Sequence, residues 1–156
     1  MKFKELSKNK NTIMSKIIND TEILKALTNP DEDFLNQDLS CDPISVIYKN
    51  LFPYRYVPDT TSTSQCYITM SFGRYKKVLN HYRAGYLTFY IFCNKNIVKT
   101  SEGWLRYDFI AHKIDELFEG NEELGMGKMQ FENMDDLLVN DDYVGLQISY
   151  KTMQFK

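Results

Sequence analysis

No apolar run in this 156-residue chain approaches the length of a membrane span. The longest, around Tyr86 to Cys93, has the length of a strand. The opening Met1-Lys2-Phe3-Lys4-Glu5 lacks the apolar core of a secretory leader. A chain made and used in a cytoplasm, or assembled there, is expected. Positive charge is not in excess either. The net charge of −2 argues against a nucleic-acid binder driven by phosphate neutralisation, although it leaves room for a local basic patch. The three cysteines, Cys41, Cys66 and Cys93, are odd in number and widely spaced, with no CxxC pair and no Cys/His zinc pattern. Cys66 and Cys93 lie in apolar strand-like runs, so buried free thiols in a reducing compartment are the expectation. Internal repeats and low-complexity tracts are absent as well.

The chain does have aromatic residues in quantity. Its 11 Tyr and 10 Phe account for nearly all of a 14% aromatic fraction, within 43% hydrophobic residues overall. A packed single-domain core follows, and the tyrosine excess favours a protein that contacts other proteins. The densest aromatic segment is Phe52-Pro53-Tyr54-Arg55-Tyr56-Val57-Pro58-Asp59. Each proline fixes its own φ and pushes the preceding residue toward extended geometry. The segment therefore reads as a stiff, extended strip.

Residues 1–11 read as a flexible N-terminus, and 12–156 as one α+β domain. A helix is predicted from Thr12 to Thr28, with Ile13, Ile17 and Leu24 on its apolar face, ended by Asn29-Pro30. Asp31 to Asp42 is an acidic loop. Asp42 then caps a short helix or turn from Pro43 to Leu51. After polar Thr60 to Ser64, Cys66, Ile68, Met70 and Phe72 alternate onto one face of a strand. Arg74 to Gly85 reads as a basic, irregular stretch, and Tyr86 to Asn94 as a central strand, apolar on both faces. Tyr107, Ile110, Ala111, Ile114, Leu117 and Phe118 form the stripe of a helix from Trp104 to Phe118, with Gly120 as its stop. Gly125-Met126-Gly127 reads as a turn and Lys128 to Met134 as a strand, acidic Asp135-Asp136 and Asn140-Asp141-Asp142 bracket a loop, and Tyr143 to Phe155 reads as a long closing strand. The order α-(α)-β-β-α-β-β predicts a small antiparallel sheet with two main helices packed on one face. A strand that overruns its own sheet is suited to pairing with a neighbouring subunit.

Four groups of residues are candidates for chemistry. Asp108, His112, Asp115, Glu116 and Glu119 share a helical face and could hold a divalent metal, but acids commonly fill an exposed helix face, and that reading is preferred. The glycines at 125 and 127 stand between a helix and a strand, the wrong order for a phosphate loop. A cysteine nucleophile with His81 or His112 has no local signature. The stretch Arg74 to Arg83, joined by Lys95 and Lys99 and interleaved with Tyr75 and Tyr82, could bind nucleic acid. A solvated loop is the preferred reading, because the overall charge is acidic, and a third is contact with an acidic protein surface, including that of a second copy. Leu105 and Phe109 fall off the helix stripe, inside the acidic face; they hint at a contact surface or are equally well covered by the chain's own loops.

Several residues together carry a resemblance. They are Tyr54-x-Tyr56-Val57-Pro58-Asp59, then Gly103-x-x-Arg106-x-Asp108-x-Ile110-Ala111-x-x-Ile114-Asp115-x-Leu117-Phe118, then Gly125-x-Gly127-Lys128-Met129, and finally Tyr143-x-Gly145-x-x-Ile148-x-Tyr150. In order and spacing, from about Thr12 onward, the chain resembles tail-terminator or tail-to-head-joining proteins of tailed bacteriophages with Gram-positive hosts. That resemblance implies a structural virion protein of the tail and neck, assembled in the host cytoplasm. Its subunits would form a ring, usually a hexamer, that caps the tail-tube protein and docks the head-closure or connector protein. DNA would pass through the lumen without specific binding, and no catalytic residue, cofactor, metal or membrane would be involved. Contacts are expected at Tyr54, Tyr56, Lys76, Lys77, Arg83, Lys95, Lys99, Leu105, Phe109, Asp108 and Asp115. The alternatives are another neck ring, such as a head-closure or connector adaptor, a metal-dependent enzyme, and a small nucleic-acid-binding protein. No family role attaches to the acidic 31–42 loop.

Overall fold

A computed structural model describes residues 3–59, 65–80, 82–124 and 127–155. His81, the polar run Thr60 to Ser64 and most of the expected Gly125-Met126-Gly127 turn therefore lie outside the described residues. The fold is α+β, with three helices over one face of a five-stranded sheet. The helices are α1 (Leu6–Ile18), α2 (Thr21–Thr28) and α3 (Arg106–Phe118). The strands are β1 (Leu51–Phe52), β2 (Cys66–Val78), β3 (Tyr82–Asn94), β4 (Gln130–Leu138) and β5 (Tyr143–Phe155), in spatial order β1-β2-β3-β5-β4.

The single helix expected from Thr12 to Thr28 is two. It starts at Leu6 and breaks at Asn19-Asp20. Asp20 adopts extended geometry, and its carboxylate accepts the Ile23 N–H at 3.1 Å, an N-cap that opens α2. The apolar positions continue in phase across this break, so Ile13, Ile17, Ile23, Leu24 and Leu27 are all buried. The Pro43 to Leu51 segment is a 3-10 turn, Pro43–Val46, capped by Asp42 as expected. The sheet is mixed, because two-residue β1 pairs parallel with β2 through Leu51↔Ile68 and Phe52↔Thr69.

β3 is the central strand, as its composition predicts; its helix-side residues from Leu87 to Cys93 are buried, while Tyr86, Thr88 and Tyr90 on the other face are only half-buried. On the helix side, Leu87, Phe89 and Ile91 pack with Ile68, Met70, Ile148 and Tyr150 beneath Ile110, Ile114 and Phe118. Cys66 and Cys93 are register partners on this face and are joined as a disulfide, with Cα atoms 4.1 Å apart. The expected pair of free thiols is corrected accordingly, and only Cys41 is free. Spacing could not reveal the pairing, because it arises from the register of two strands 27 residues apart.

The basic stretch from Arg74 to Gly85 is not irregular. It is the far end of the β2–β3 hairpin, which runs on beyond a bulge between Gly73 and Lys76. Arg74 takes a positive φ of 55° there, and two residues oppose one. The bulge turns the Tyr75 ring over Gly85, with the Tyr75 hydroxyl 2.7 Å from Thr152 Oγ1. A Cβ at Gly85 would lie 2.5 Å from that ring. We therefore expect Gly85→Ala to displace Tyr75, break its hydrogen bond and cost roughly 1–3 kcal/mol. In urea the midpoint should fall with an unchanged m-value, and an unshifted midpoint would refute this packing.

Candidate functional site

The two faces of the sheet differ. Helices cover one. On the other, the strip from Phe52 to Pro58 folds back over one end of the strands, where Phe52, Tyr67, Phe92 and Tyr143 form a second small core. Tyr56 stacks on Phe52 with ring centres 4.2 Å apart, and the Arg55 guanidinium sits 3.6 Å above the Tyr90 ring. Asn140 Nδ2 donates to the Pro58 carbonyl at 3.3 Å and ties down the far end. The strip, bent at Pro53-Tyr54, acts in the monomer as a lid over this second core. Tyr56 is half-buried in it, while Tyr54 stays exposed.

Beyond the strip the same sheet face is bare. It forms an open groove of about 410 Å³ floored by Ser71, Thr88, Tyr90, Gln147 and Ser149. Hydroxyl pairs cross it at Ser71–Tyr90 (3.2 Å) and Thr88–Ser149 (2.9 Å). The floor carries no charge; Arg74 marks one rim and Glu132 and Asp135 the other.

Those rims are the two edges of the sheet. β1 covers β2 only at Ile68 and Thr69. From Met70 to Val78 the outer edge of β2 has no strand partner among the described residues, and Arg74, Lys76 and Lys77 on it are exposed. β4 forms the opposite edge, and every residue of it except Leu137 is exposed. Register with β5 places Phe131, Met134, Asp136 and Leu138 on the helix side. There the apolar side chains are 50%, 52% and 75% exposed, because the helices lie over β3 and β5 and stop short of β4. Among the described residues no ion pair neutralises Glu132, Asp135 or Asp136 on one edge, nor Arg74, Lys76 or Lys77 on the other.

β4 was partly missed in the sequence. Its strand was expected to end at Met134, with Asp135-Asp136 in a loop. The bulge between Phe131 and Asn133 breaks the alternation that would have revealed Phe131, Met134 and Leu138 as one row.

The other expected contact residues scatter. Lys95 and Lys99 follow the distal end of β3, whereas Lys76, Lys77 and Arg83 lie at its start. Eleven residues of extended chain separate Arg83 from Asn94, on the order of 35 Å, so these cations are two patches. Tyr75, packed over Gly85, is not free to stack on bases. Phe109 is not a surface residue: it is 6% exposed, packed against Phe34 and Trp104 with ring centres 5.7 and 6.0 Å away. Leu105 is exposed, as expected.

The acidic face of α3 is also divided. His112 pairs with Glu116 at 3.1 Å and stacks on Trp104. Lys113 bridges Asp20, Glu22 and Glu116. Asp115 turns to the sheet and accepts the buried Tyr150 hydroxyl at 2.7 Å. Among the described residues no group of three or more His, Cys, Asp or Glu could hold a metal ion, so the metal reading of this face loses its ligand set.

Asp108 faces Asp136 across the gap between α3 and β4. Burial first, and then the Asp136 carboxylate, raise the Asp108 pKa above its ordinary value. The folded state therefore binds that proton more tightly than the unfolded chain does. Ionising Asp108 costs stability, and the cost is relieved as pH falls through its raised pKa. Asp136→Asn should raise the unfolding free energy at pH 7 by about a few tenths of a kcal/mol, the scale of exposed like-charge pairs, and the urea midpoint with it. The gain should shrink as the solution is acidified through the carboxylate range. A midpoint unchanged at pH 7 would rule out this repulsion.

The family model named YomW matches residues 20–152. The chain belongs to the YomW family. Its name follows the style of Bacillus phage proteins, consistent with a phage-related protein. The match spans all five strands up to Thr152 and both α2 and α3. No curated protein matches the chain. Among the described residues no helix of this YomW-family protein is long and apolar enough to cross a membrane.

Proposed function

We propose that this protein is a structural component of a tailed-phage virion: a ring subunit, hexameric in the reading favoured here, that caps the tail tube and joins it to the head connector. The observation that carries this reading is a sheet left open in three directions. One face is an open polar groove with an uncharged floor, flanked by Arg55 over Tyr90 and by Lys151 beside Tyr86. Among the described residues the two edges lack strand partners over most of their length and are opposite in charge. A ring subunit needs two different complementary patches, because head-to-tail contacts generate closed rings. A lumen wall needs a surface past which DNA slides, and the uncharged hydroxyl and amide groups that floor the groove suit one. The hairpin tip and the end of β5 run together as strand partners down to Tyr82↔Phe155, giving the sheet a long ledge for an axial partner. The partners in this reading are further copies of the chain, the tail-tube protein and the head-closure protein.

Negative-stain imaging of the purified protein, alone and mixed with cognate tail tubes, tests the proposal. Rings, or tubes capped at one end, are expected. Binding to connector rings in place of tubes would move the protein to another neck position. Binding to neither would overturn the assembly role.

A further inference from the structure

The two free edges of the sheet suggest how copies of the chain meet. We infer that the outer edge of β2 in one copy pairs with the outer edge of β4 in the next, so that the sheets join into one continuous β-structure around the ring. This inference rests on the ring reading above and names the surface that reading requires.

An unpaired edge presents a row of backbone N–H and C=O groups ready to template another strand, and monomers commonly blunt it with a covering element, a bulge or charge. Among the described residues nothing covers β4, and its helix side offers Met134 and Leu138 to solvent. On the β2 side the hairpin turn offers Leu79, 77% exposed. Charge then selects the partner. Two β4 edges would set Glu132, Asp135 and Asp136 against their own copies, and two β2 edges would set Arg74, Lys76 and Lys77 against theirs. Only β2 against β4 places cations opposite carboxylates, and like-charge juxtaposition excludes the symmetric alternatives. The resulting contact is head-to-tail, and it leaves the polar sheet face continuous from copy to copy. Within one copy the two edges cannot meet, because three strand spacings and about six residues along the strands put Lys76 and Asp135 on the order of 25 Å apart.

A charge-swap experiment on the full chain tests this. One variant carries Lys76→Glu and Lys77→Glu, and a second carries Asp135→Lys and Asp136→Lys. All four positions are exposed, so both should keep the wild-type circular dichroism spectrum and neither should melt lower than wild type; the second should melt slightly higher, because it removes the Asp136 charge facing Asp108. Assembly is read by sedimentation velocity at high protein concentration and by imaging on tail tubes. Each variant alone should associate at least about tenfold more weakly than wild type, since both of its edges carry the same sign. An equimolar mixture should recover wild-type assembly, because the acidic β2 of the first meets the basic β4 of the second, while their native edges still match. Wild-type rings with variants that assemble unchanged, or with a mixture that fails to recover, would overturn the edge pairing and leave the ring reading intact. Wild type that neither self-associates nor binds tubes would overturn the ring reading and the edge pairing with it.

Discussion

Arg106→Ala should lower the unfolding free energy by about 4 kcal/mol or more, enough to leave a domain of this size largely unfolded at 37 °C. Arg106 is fully buried at the first turn of α3. Its guanidinium donates from Nε to the Ile97 carbonyl at 2.8 Å and from Nη1 to the Ala26 and Asn29 carbonyls at 3.0 and 2.7 Å. Nη2 donates to the Asp31 carbonyl at 3.0 Å. Ala26 belongs to the last turn of α2, whose carbonyls have no helical partner, and a cation there also meets the negative end of the helix dipole. The Phe34 ring lies 4.5 Å beneath the charge. Burial lowers the guanidinium pKa to about 10, so it remains charged at neutral pH. Truncation would strand four buried or half-buried carbonyls and leave a cavity. Arg106→Lys keeps the charge but lacks the planar fork, and should recover only a minor part of the loss. Urea denaturation of both variants decides it. If Arg106→Lys matched wild type, charge alone would explain the site and the forked geometry would not matter.

This arginine also explains the acidic loop from Asp31 to Asp42, to which the sequence assigns no role. The loop is held by its backbone. Asn29 and Asp31 lend carbonyls to Arg106, while Phe34, Leu35 and Leu39 pack into the core. Ser101 N–H donates to the Glu32 carbonyl at 2.9 Å from the far side. The Asp31 carboxylate, fully exposed, is held below its ordinary pKa by the Asp33 N–H first, then Gln37 and Arg106. None of this was legible, because a carbonyl acceptor leaves no trace in residue identity. What was legible was periodicity. The α3 stripe, the central place of β3 and the full length of β5 follow from apolar spacing alone. Spacing failed where a break left the phase intact, as at Asn19-Asp20, and where a bulge shifted it, as at Gly73 and Phe131. The same bulges hid both halves of the candidate site. Arg74 to Gly85 read as a loop and Asp135-Asp136 as another, although they are the two free edges of one sheet.

Phe109→Asp and Leu105→Asp make the same chemical change four residues apart, and their effects should have opposite signs. On a helical projection both positions fall among acids, which is why both read as contact residues. The structure separates them. The Phe109 ring meets the edge of Phe34, which in turn lies under Arg106, so an aspartate at 109 would place an unpaired carboxylate within that stack. The lost burial and the stranded charge together should cost about 3–5 kcal/mol or shift the new carboxyl strongly toward its neutral form. Leu105 is the N-cap residue of α3, with φ −72° and ψ 138° and no side-chain cap. Aspartate in that geometry can accept a first-turn N–H and meets the positive end of the helix dipole, a gain of roughly 0.5–2 kcal/mol. That gain should outweigh the half-exposed leucine contacts and raise the thermal midpoint. Assembly measurements on Phe109→Asp would therefore report unfolding, whereas Leu105→Asp changes a surface residue on an intact monomer. If Leu105→Asp melts higher yet fails to cap tubes, Leu105 is an assembly contact. If it melts higher and caps normally, contact between subunits does not use the start of α3, and the charged sheet edges are left to supply it.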